Sequence, residues 1–275
     1  MNNFTQRTIT AIFYVMVIVL CLQTGTWPAF TLLAGFSLWG LLEYRNMLLK
    51  EVSIFQSILF VVGGVYIFSL IALWHFTYIQ RQYYGLVLVL SILIFIIQLF
   101  YKNENPFDII GRQITGWIYI PVSLGLLFSI GYLKFMYTDG NIAYNGFLVL
   151  SVFILIWAND TFAYLVGRWI GKTPLFSRIS PKKTIEGTVG GVILSVIAAV
   201  GLFYWKGHFT LIEYIGLSFL ISISSTLGDL VESMLKRSLN IKDSGTLMPG
   251  HGGILDRLDG TFITAWVVYF YLQLI

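Results

Sequence analysis

Charged residues are scarce in this sequence, and their scarcity excludes a water-soluble globular protein. Of the 275 residues, 11% are charged and 57% are hydrophobic, whereas soluble domains carry about 25% charged residues. The apolar residues come in runs of about 20, long enough to cross a hydrocarbon layer about 30 Å thick as helices. The sequence therefore predicts an all-α, polytopic integral membrane protein.

Cysteine is almost absent too, since Cys21 is the only one. An intrachain disulfide and a cysteine-based zinc cluster are therefore excluded. The first apolar run follows Arg7, as in a signal peptide, but it lacks an A-x-A cleavage site and is followed at once by another span. We expect it to be a retained helix.

Nine apolar runs are predicted to span the membrane, at roughly 8–24, 27–42, 54–74, 83–100, 115–137, 142–158, 187–206, 209–228 and 258–275. With nine spans, 14 of the 17 Lys and Arg residues share one side with the amino terminus, and only Arg81, Lys134 and Lys206 lie on the other. Because positive residues favour the cytoplasmic side, the amino terminus is predicted to be cytoplasmic. Residues 1–140 are expected to be transmembrane scaffold and lipid-facing helices, and 141–275 the catalytic region, within one membrane domain.

The strongest candidate site lies between Ser233 and Asp259, beyond the predicted end of the eighth span. The run Pro249-Gly250-His251-Gly252-Gly253 is a loop whose backbone can approach a ligand closely, because glycine has no side chain in the way. Three basic residues of the segment suit the phosphates of a nucleotide or a lipid head group: Lys236, Arg237 and Lys242.

Two pairs of carboxylates accompany this loop. Asp256 and Asp259 are three residues apart, as are Asp229 and Glu232, so each pair falls on one face of a helix. Carboxylates beside phosphate-binding cations favour Mg²⁺, which takes oxygen ligands. For Glu232 the alternative is an ion pair with Lys236, four residues further on.

Two further segments carry candidate binding groups. In Ser180-Pro-Lys182-Lys183-Thr184, two adjacent lysines with a hydroxyl on each side can bind a polyphosphate. Alternatively, the lysines only mark the cytoplasmic end of the next span, as positive residues commonly do. Asp160, at the predicted end of the sixth span, is either a substrate or metal group or a helix cap.

The segment from Ser233 to Asp259 resembles the signature of the phosphatidate cytidylyltransferase (CDP-diacylglycerol synthase) family. The resemblance rests on the fixed residues of that signature, which are Ser233, Lys236-Arg237, Lys242-Asp243, Pro249, His251-Gly252-Gly253, Asp256-Arg257 and Asp259. Ser180–Gly187, Asp160–Tyr164 and Gly228-Asp229 are also similar to recurring features of that family. Together these motifs cover about the last 120 residues, whereas the first half matches only as a set of hydrophobic spans.

The resemblance implies a Mg²⁺-dependent attack of phosphatidic acid on the α-phosphorus of CTP, with release of pyrophosphate. It implies a two-metal design in which Asp229 and Asp256 are metal ligands, so a second metal ion is expected. The residues predicted to be catalytic are Asp229, Asp256, Asp259, Lys236 and Arg257. Those predicted to bind substrate are Ser180, Lys182, Lys183, Thr184, Arg237, Lys242, His251, Gly252, Gly253 and Asp160.

Two other classes of function compete with this interpretation. An ion-coupled transporter could use intramembrane carboxylates, but its two halves would be similar and none of that symmetry is visible. Another CTP-dependent lipid kinase or transferase would lack the full segment. The expected partners are CTP, phosphatidic acid and membrane lipid, with no nucleic acid, and the sequence allows a homodimer. The expected location is a bacterial inner (plasma) membrane, with the active site facing the cytoplasm.

Overall fold

A computed structural model describes residues 3–75, 82–133, 144–206, 208–245, 247 and 252–275 of the chain. Helices account for 79% of the residues that the structure describes, which confirms the predicted helical class. The strands among the described residues form one antiparallel hairpin of three and five residues. Strands as short as these leave little periodic signal, so the sequence does not predict them.

The elements of the described chain follow one another as ten α-helices, one π-helical turn and the hairpin. They are α1 (Asn3–Gln23), α2 (Thr26–Leu48), α3 (Ile54–Ala72), α4 (Gln82–Gln98), α5 (Pro106–Trp117), the π-helical turn (Ile118–Val122), α6 (Ser123–Ile130), α7 (Gly146–Ile170), β1 (Pro174–Phe176), β2 (Ser180–Thr184), α8 (Ile185–Lys206), α9 (Leu211–Ser238) and α10 (Leu255–Leu274).

Five helical segments in the described chain are long and apolar enough to cross a membrane. They are Ile54–Ala72, Pro106–Ile130, Gly146–Ile170, Ile185–Lys206 and Leu211–Ser238. Each of the nine predicted runs overlaps a helix, but the apolar parts of α1 and α4 are shorter, at Thr8–Gln23 and Tyr83–Gln98. The protein is therefore an integral membrane protein by its apolar helices, and the count of nine spans and the side of the amino terminus stay predictions.

Short polar sequences set several helix ends. Ser53 and Gln56 form a capping box before α3, and Thr210 and Glu213 form another before α9.

Pro121 lies in the π-helical turn between α5 and α6. Proline has no backbone N–H and its ring crowds the preceding turn, so a locally wider turn lets α5 and α6 continue as one long segment.

The chain forms two compact units. The first contains Met1–Tyr144 and Asp243–Arg257, and the second contains Asn145–Lys242 and Leu258–Ile275. Most of the candidate site residues from the sequence analysis belong to the second unit. The segment that carries Asp243 and Asp256 belongs to the first unit, so each unit is described with its own polar cluster below.

In the second unit, α8 packs very closely against α7 because glycines line the α8 face. A methyl group on Gly191 would lie 2.8 Å from the side-chain oxygen of Asn159, and one on Gly187 would lie 2.7 Å from the carbonyl oxygen of Ala163. Small residues allow this approach in membranes, where helices associate by packing and hydrogen bonding rather than by the hydrophobic effect. The close contact fixes α7 against the start of α8, next to the hairpin.

This packing predicts opposite effects for two alanine substitutions on α8. Gly191→Ala should lower the free energy of unfolding by about 1–3 kcal/mol, because overpacking forces the helices apart. Gly201→Ala is the matched control, since a methyl group there meets nothing within 4 Å, and it should be neutral or stabilising by up to about 1 kcal/mol. Thermal unfolding of the two purified variants in the same detergent measures the difference, and equal midpoints would contradict the close contact.

Candidate active site

Four carboxylates of the second unit lie within electrostatic range of one another. Asp160 comes from α7, Asp229 and Glu232 from α9, and Asp259 from α10. Asp259 interacts electrostatically with the other three, and Asp160 interacts with Asp229. We call these four residues the carboxylate cluster.

Two lysines neutralise part of the carboxylate cluster. Lys183 of β2 forms an ion pair with Asp229. Lys236 lies 2.6 Å from Glu232, whose side chain is 1% exposed. The ion pair that spacing offered as an alternative for Glu232 is therefore present. Because Lys236 is 11% exposed, this pair is a buried structural element of α9.

The α9 sequence places its polar groups on one side by helical spacing. Ser233 lies four residues after Asp229, and its hydroxyl donates to an oxygen of Asp229 at 3.2 Å. Gly228 allows α10 to come close: a methyl group there would lie 2.7 Å from the carbonyl oxygen of Asp259 and 3.0 Å from the Cα of Gly260. This close approach brings Asp259 beside α9, so that two helices contribute to one cluster.

The α7 helix is joined to α9 by a buried amide. Asn159, which is 1% exposed, donates through its side-chain nitrogen to the hydroxyls of Ser225 at 3.3 Å and Thr226 at 3.4 Å. Asp160 follows Asn159 inside α7, ten residues before the helix ends at Ile170. The suggestion that Asp160 caps the end of a span is therefore wrong, because α7 continues well past it.

The hairpin separates the two adjacent lysines. Successive residues of a strand point to opposite faces: Lys183 pairs with Asp229, while Lys182 is exposed. The carboxylate of Glu186, at the start of α8, accepts hydrogen bonds from the backbone N–H groups of Lys172 and Thr173 at 3.1 and 3.2 Å. These bonds tie the beginning of the hairpin to α8 and so hold Lys183 in place.

The composition of this arrangement indicates what it can bind. The carboxylate cluster has four carboxyl groups and two paired lysines, so carboxyl groups outnumber ammonium groups among these residues. Exposure of the side chains rises from 1% at Glu232 to 29% at Asp229, and Asp160 is exposed. The cluster is therefore accessible from outside the helices, and its carboxylate oxygens are the type of ligand that a hard divalent cation takes.

Within the described residues, no three His, Cys, Asp or Glu side chains are arranged to hold a metal ion together. At Asp229 the ammonium group of Lys183 supplies the positive charge instead. A divalent cation at Asp229 would therefore compete with Lys183, and the assignment of Asp229 as a metal ligand stays a prediction.

Residues 5–275 match the profile of the cytidylyltransferase family. The chain belongs to this family. Phosphatidate cytidylyltransferase of Synechocystis sp. is 49% identical over 133 residues, which are 48% of this chain and 45% of the relative. The protein of the same name from Staphylococcus aureus is 45% identical over 112 residues, 40% and 43% of the two chains. The one from Bacillus subtilis is 37% identical over 176 residues, 63% and 62%. The chain thus spans about half the length of the first two relatives.

The signature segment lies partly in the first unit. Asp256, at the start of α10, accepts three hydrogen bonds on one carboxylate oxygen: from the backbone N–H of Ser244 at 2.8 Å, from its hydroxyl at 3.0 Å, and from the N–H of Gly253 at 2.8 Å. Gly252 has a φ of 84°, a left-handed value that favours glycine. Asp256 therefore holds the signature loop together, a role that the sequence had not indicated.

The remaining predicted site residues have varied surroundings. Arg237 donates to the carbonyl oxygen of Ile241 at 3.2 Å and thereby joins the end of α9 to the segment that follows it. Thr184 accepts from the backbone N–H of Gly187 at 3.1 Å and begins α8. His251 lies outside the described residues. Ser180 is half-buried, and two cationic side chains of the signature are exposed: Lys242 and Arg257.

Sequence reasoning missed one residue of the first unit, Glu43. It is 6% exposed and accepts hydrogen bonds from the hydroxyl of Ser244 and the backbone N–H groups of Ile254 and Leu255. The signal in the sequence was a carboxylate at the end of an apolar run, because burying an ionised group in a membrane costs free energy. Its position just beyond the predicted second span made it resemble an ordinary interfacial residue.

The ion pair at Asp229 leads to a prediction about stability. Lys183→Met should lower the free energy of unfolding by about 1–2 kcal/mol, between the values for exposed and buried pairs, because it leaves Asp229 near other carboxylates without its cation. The double variant Lys183→Met, Asp229→Asn should regain part of the loss. Lys182→Met is the matched control and should change stability by less than about 0.5 kcal/mol. Equal losses for the two lysine variants in thermal unfolding would contradict the separate positions of these lysines.

Proposed function

We propose that this chain is a phosphatidate cytidylyltransferase, a nucleotidyltransferase that moves CMP from CTP to phosphatidic acid and releases pyrophosphate. The observation that carries the proposal is a carboxylate cluster with paired lysines, formed by membrane helices of a chain in the cytidylyltransferase family. The names of the relatives from three bacteria support the same substrate pair. Family membership disfavours a transporter.

The proposed reaction needs positioning and neutralisation of charge more than an activated nucleophile. A phosphate oxygen of phosphatidic acid, already anionic at neutral pH, attacks the α-phosphorus of CTP, and the bond from that phosphorus to the pyrophosphate oxygen breaks. Lys183 and Lys182 are placed on β2 to offset phosphate charge, one beside Asp229 and one exposed. Mg²⁺, with Asp229 as one of its ligands, would supply Lewis-acid stabilisation of the phosphates.

The substrates also account for the membrane architecture in this proposal. Phosphatidic acid is confined to the bilayer and CTP is dissolved in water, so their reaction belongs at an interface. The hairpin between α7 and α8 carries exposed cations at Lys172, Arg178 and Lys182. Such groups favour the cytoplasmic face of a bacterial inner membrane, where CTP is available.

Nucleotide choice tests the proposed function directly. The purified protein with phosphatidic acid, Mg²⁺ and one labelled nucleotide at a time should form a lipid-soluble nucleotide product with CTP and far less with ATP, GTP or UTP. Asp229→Asn should lower the rate by about a hundredfold or more, because loss of this carboxylate would weaken binding of the Mg²⁺ that offsets the charge developing on pyrophosphate. Asp108→Asn is the control, since Asp108 is an exposed residue paired with Arg112 on α5. Absence of a CTP-dependent product with the folded wild-type protein would refute the proposal.

Topology is testable with two single cysteines placed at the ends of α8. In a Cys21→Ser background, a membrane-impermeant thiol reagent should label Lys182→Cys only from the cytoplasmic side and Lys206→Cys only from the opposite side. Both parent residues are exposed, and α8 between them is long enough to cross the membrane. Labelling of both positions from the same face would refute the nine-span arrangement.

A further inference from the structure

We infer that Glu43 is the positioning residue of the signature loop: it holds the start of α10, and through Ser244 it orients Asp256. The inference rests on the proposed function, because it assigns Glu43 a role at the same site. Glu43 belongs to the carboxyl-terminal part of α2, about 200 residues before the signature. It was not among the residues that the sequence singled out.

The hydrogen bonds of Glu43 are the first step of the argument. One carboxylate oxygen accepts from the backbone N–H of Ile254 at 2.9 Å, and the other accepts from Leu255 at 3.0 Å and from the hydroxyl of Ser244 at 3.1 Å. Leu255 is the first residue of α10, so these N–H groups are ones that no preceding turn can satisfy. A carboxylate at a helix amino terminus is also favoured by the helix dipole. Glu43 therefore caps α10 from a different helix.

The bridge to Asp256 is the second step. The hydroxyl of Ser244 lies 3.1 Å from a carboxylate oxygen of Glu43 and 3.0 Å from one of Asp256. A hydroxyl has one hydrogen, so it donates to one carboxylate at a time. The backbone N–H of Ser244 donates to the same oxygen of Asp256 at 2.8 Å. Displacement of Ser244 would therefore move Asp256, which explains how Glu43 can affect a residue that it does not bind directly.

The glycines of the loop provide independent support. A methyl group on Gly245 would lie 2.7 Å from a carboxylate oxygen of Glu43, and one on Gly253 would overlap the other oxygen and the hydroxyl of Ser244. Both positions are therefore restricted to glycine by the carboxylate of Glu43. Gly253 belongs to the run that the sequence predicts to approach a ligand closely, but the space beside it is filled in part by the carboxylate of Glu43.

The packing of α2 shows why the carboxylate reaches the loop. Gly40 is three residues before Glu43 and shares its helix face. A methyl group on Gly40 would lie 3.3 Å from a side-chain carbon of Leu255. The small residue lets Leu255, 1% exposed, pack against α2 while its N–H group bonds to Glu43.

Glu43→Gln tests the inference because it preserves size and removes one acceptor oxygen and the charge. In the full chain in lipid nanodiscs, hydrogen–deuterium exchange of the peptide that covers residues 243–257 should become about tenfold faster or more, with other peptides unchanged. With CTP and phosphatidic acid, kcat should fall by about 10- to 100-fold, as for other residues that orient a catalytic group, while KM for phosphatidic acid stays within about twofold. Glu51→Gln, an exposed residue just after α2, should match the wild type in both measurements.

The two measurements separate failure of this inference from failure of the proposed function. If the wild-type protein forms no product with CTP, the exchange experiment alone decides the inference. Unchanged exchange at 243–257 in folded Glu43→Gln overturns it. If Glu43→Gln does not fold, Ser244→Ala decides: a lower kcat with retained protection of Ile254 and Leu255 supports the bridge, and an unchanged kcat overturns it.

Discussion

The cost of placing carboxylates among apolar helices constrains this protein more than any other interaction. An ionised group taken from water loses several kcal/mol of solvation, and only partners of opposite charge or several hydrogen bonds offset the loss. In the second unit, Lys183 and Lys236 supply the charge for Asp229 and Glu232. The positions of α9 and the hairpin therefore depend on each other, because the ammonium group of Lys183 on the hairpin neutralises the carboxylate of Asp229 on α9.

The first unit meets the same cost with hydrogen bonds to its signature carboxylates. Glu43 and Asp256 are surrounded by backbone N–H groups and the hydroxyl of Ser244. Hydrogen bonds to a carboxylate are strong because the acceptor is charged, and several of them can replace a cation. Such bonding requires the backbone to come within 3 Å of the carboxylate, which explains the glycines at Gly245 and Gly253 better than flexibility does.

The sequence predicted what depends on local spacing and missed what depends on distant partners. The pair Glu232–Lys236 follows from four-residue spacing on one helix. The pair Lys183–Asp229 joins residues 46 positions apart, and no local pattern indicates which of two adjacent lysines turns inward. The sixth predicted span ends before α7 does, because the polar residue Asn159 interrupts the apolar run. In the structure the amide of Asn159 donates to hydroxyls of α9, and the helix continues to Ile170. Glu43 was missed since its partners lie some 200 residues away.

The excess of carboxyl groups over lysines in the second unit bears on how the nucleotide can bind in the proposed reaction. Four carboxyl groups and two lysines meet in a partly exposed cluster. Such a cluster repels a bare nucleotide triphosphate and attracts a divalent cation. A CTP molecule that carries a divalent cation satisfies both needs at once, because the cation balances the carboxylates and screens the phosphates from them. Under the proposed function the cluster would therefore favour the nucleotide as its complex with a divalent cation, and a cation held at Asp229 would compete with the ion pair to Lys183.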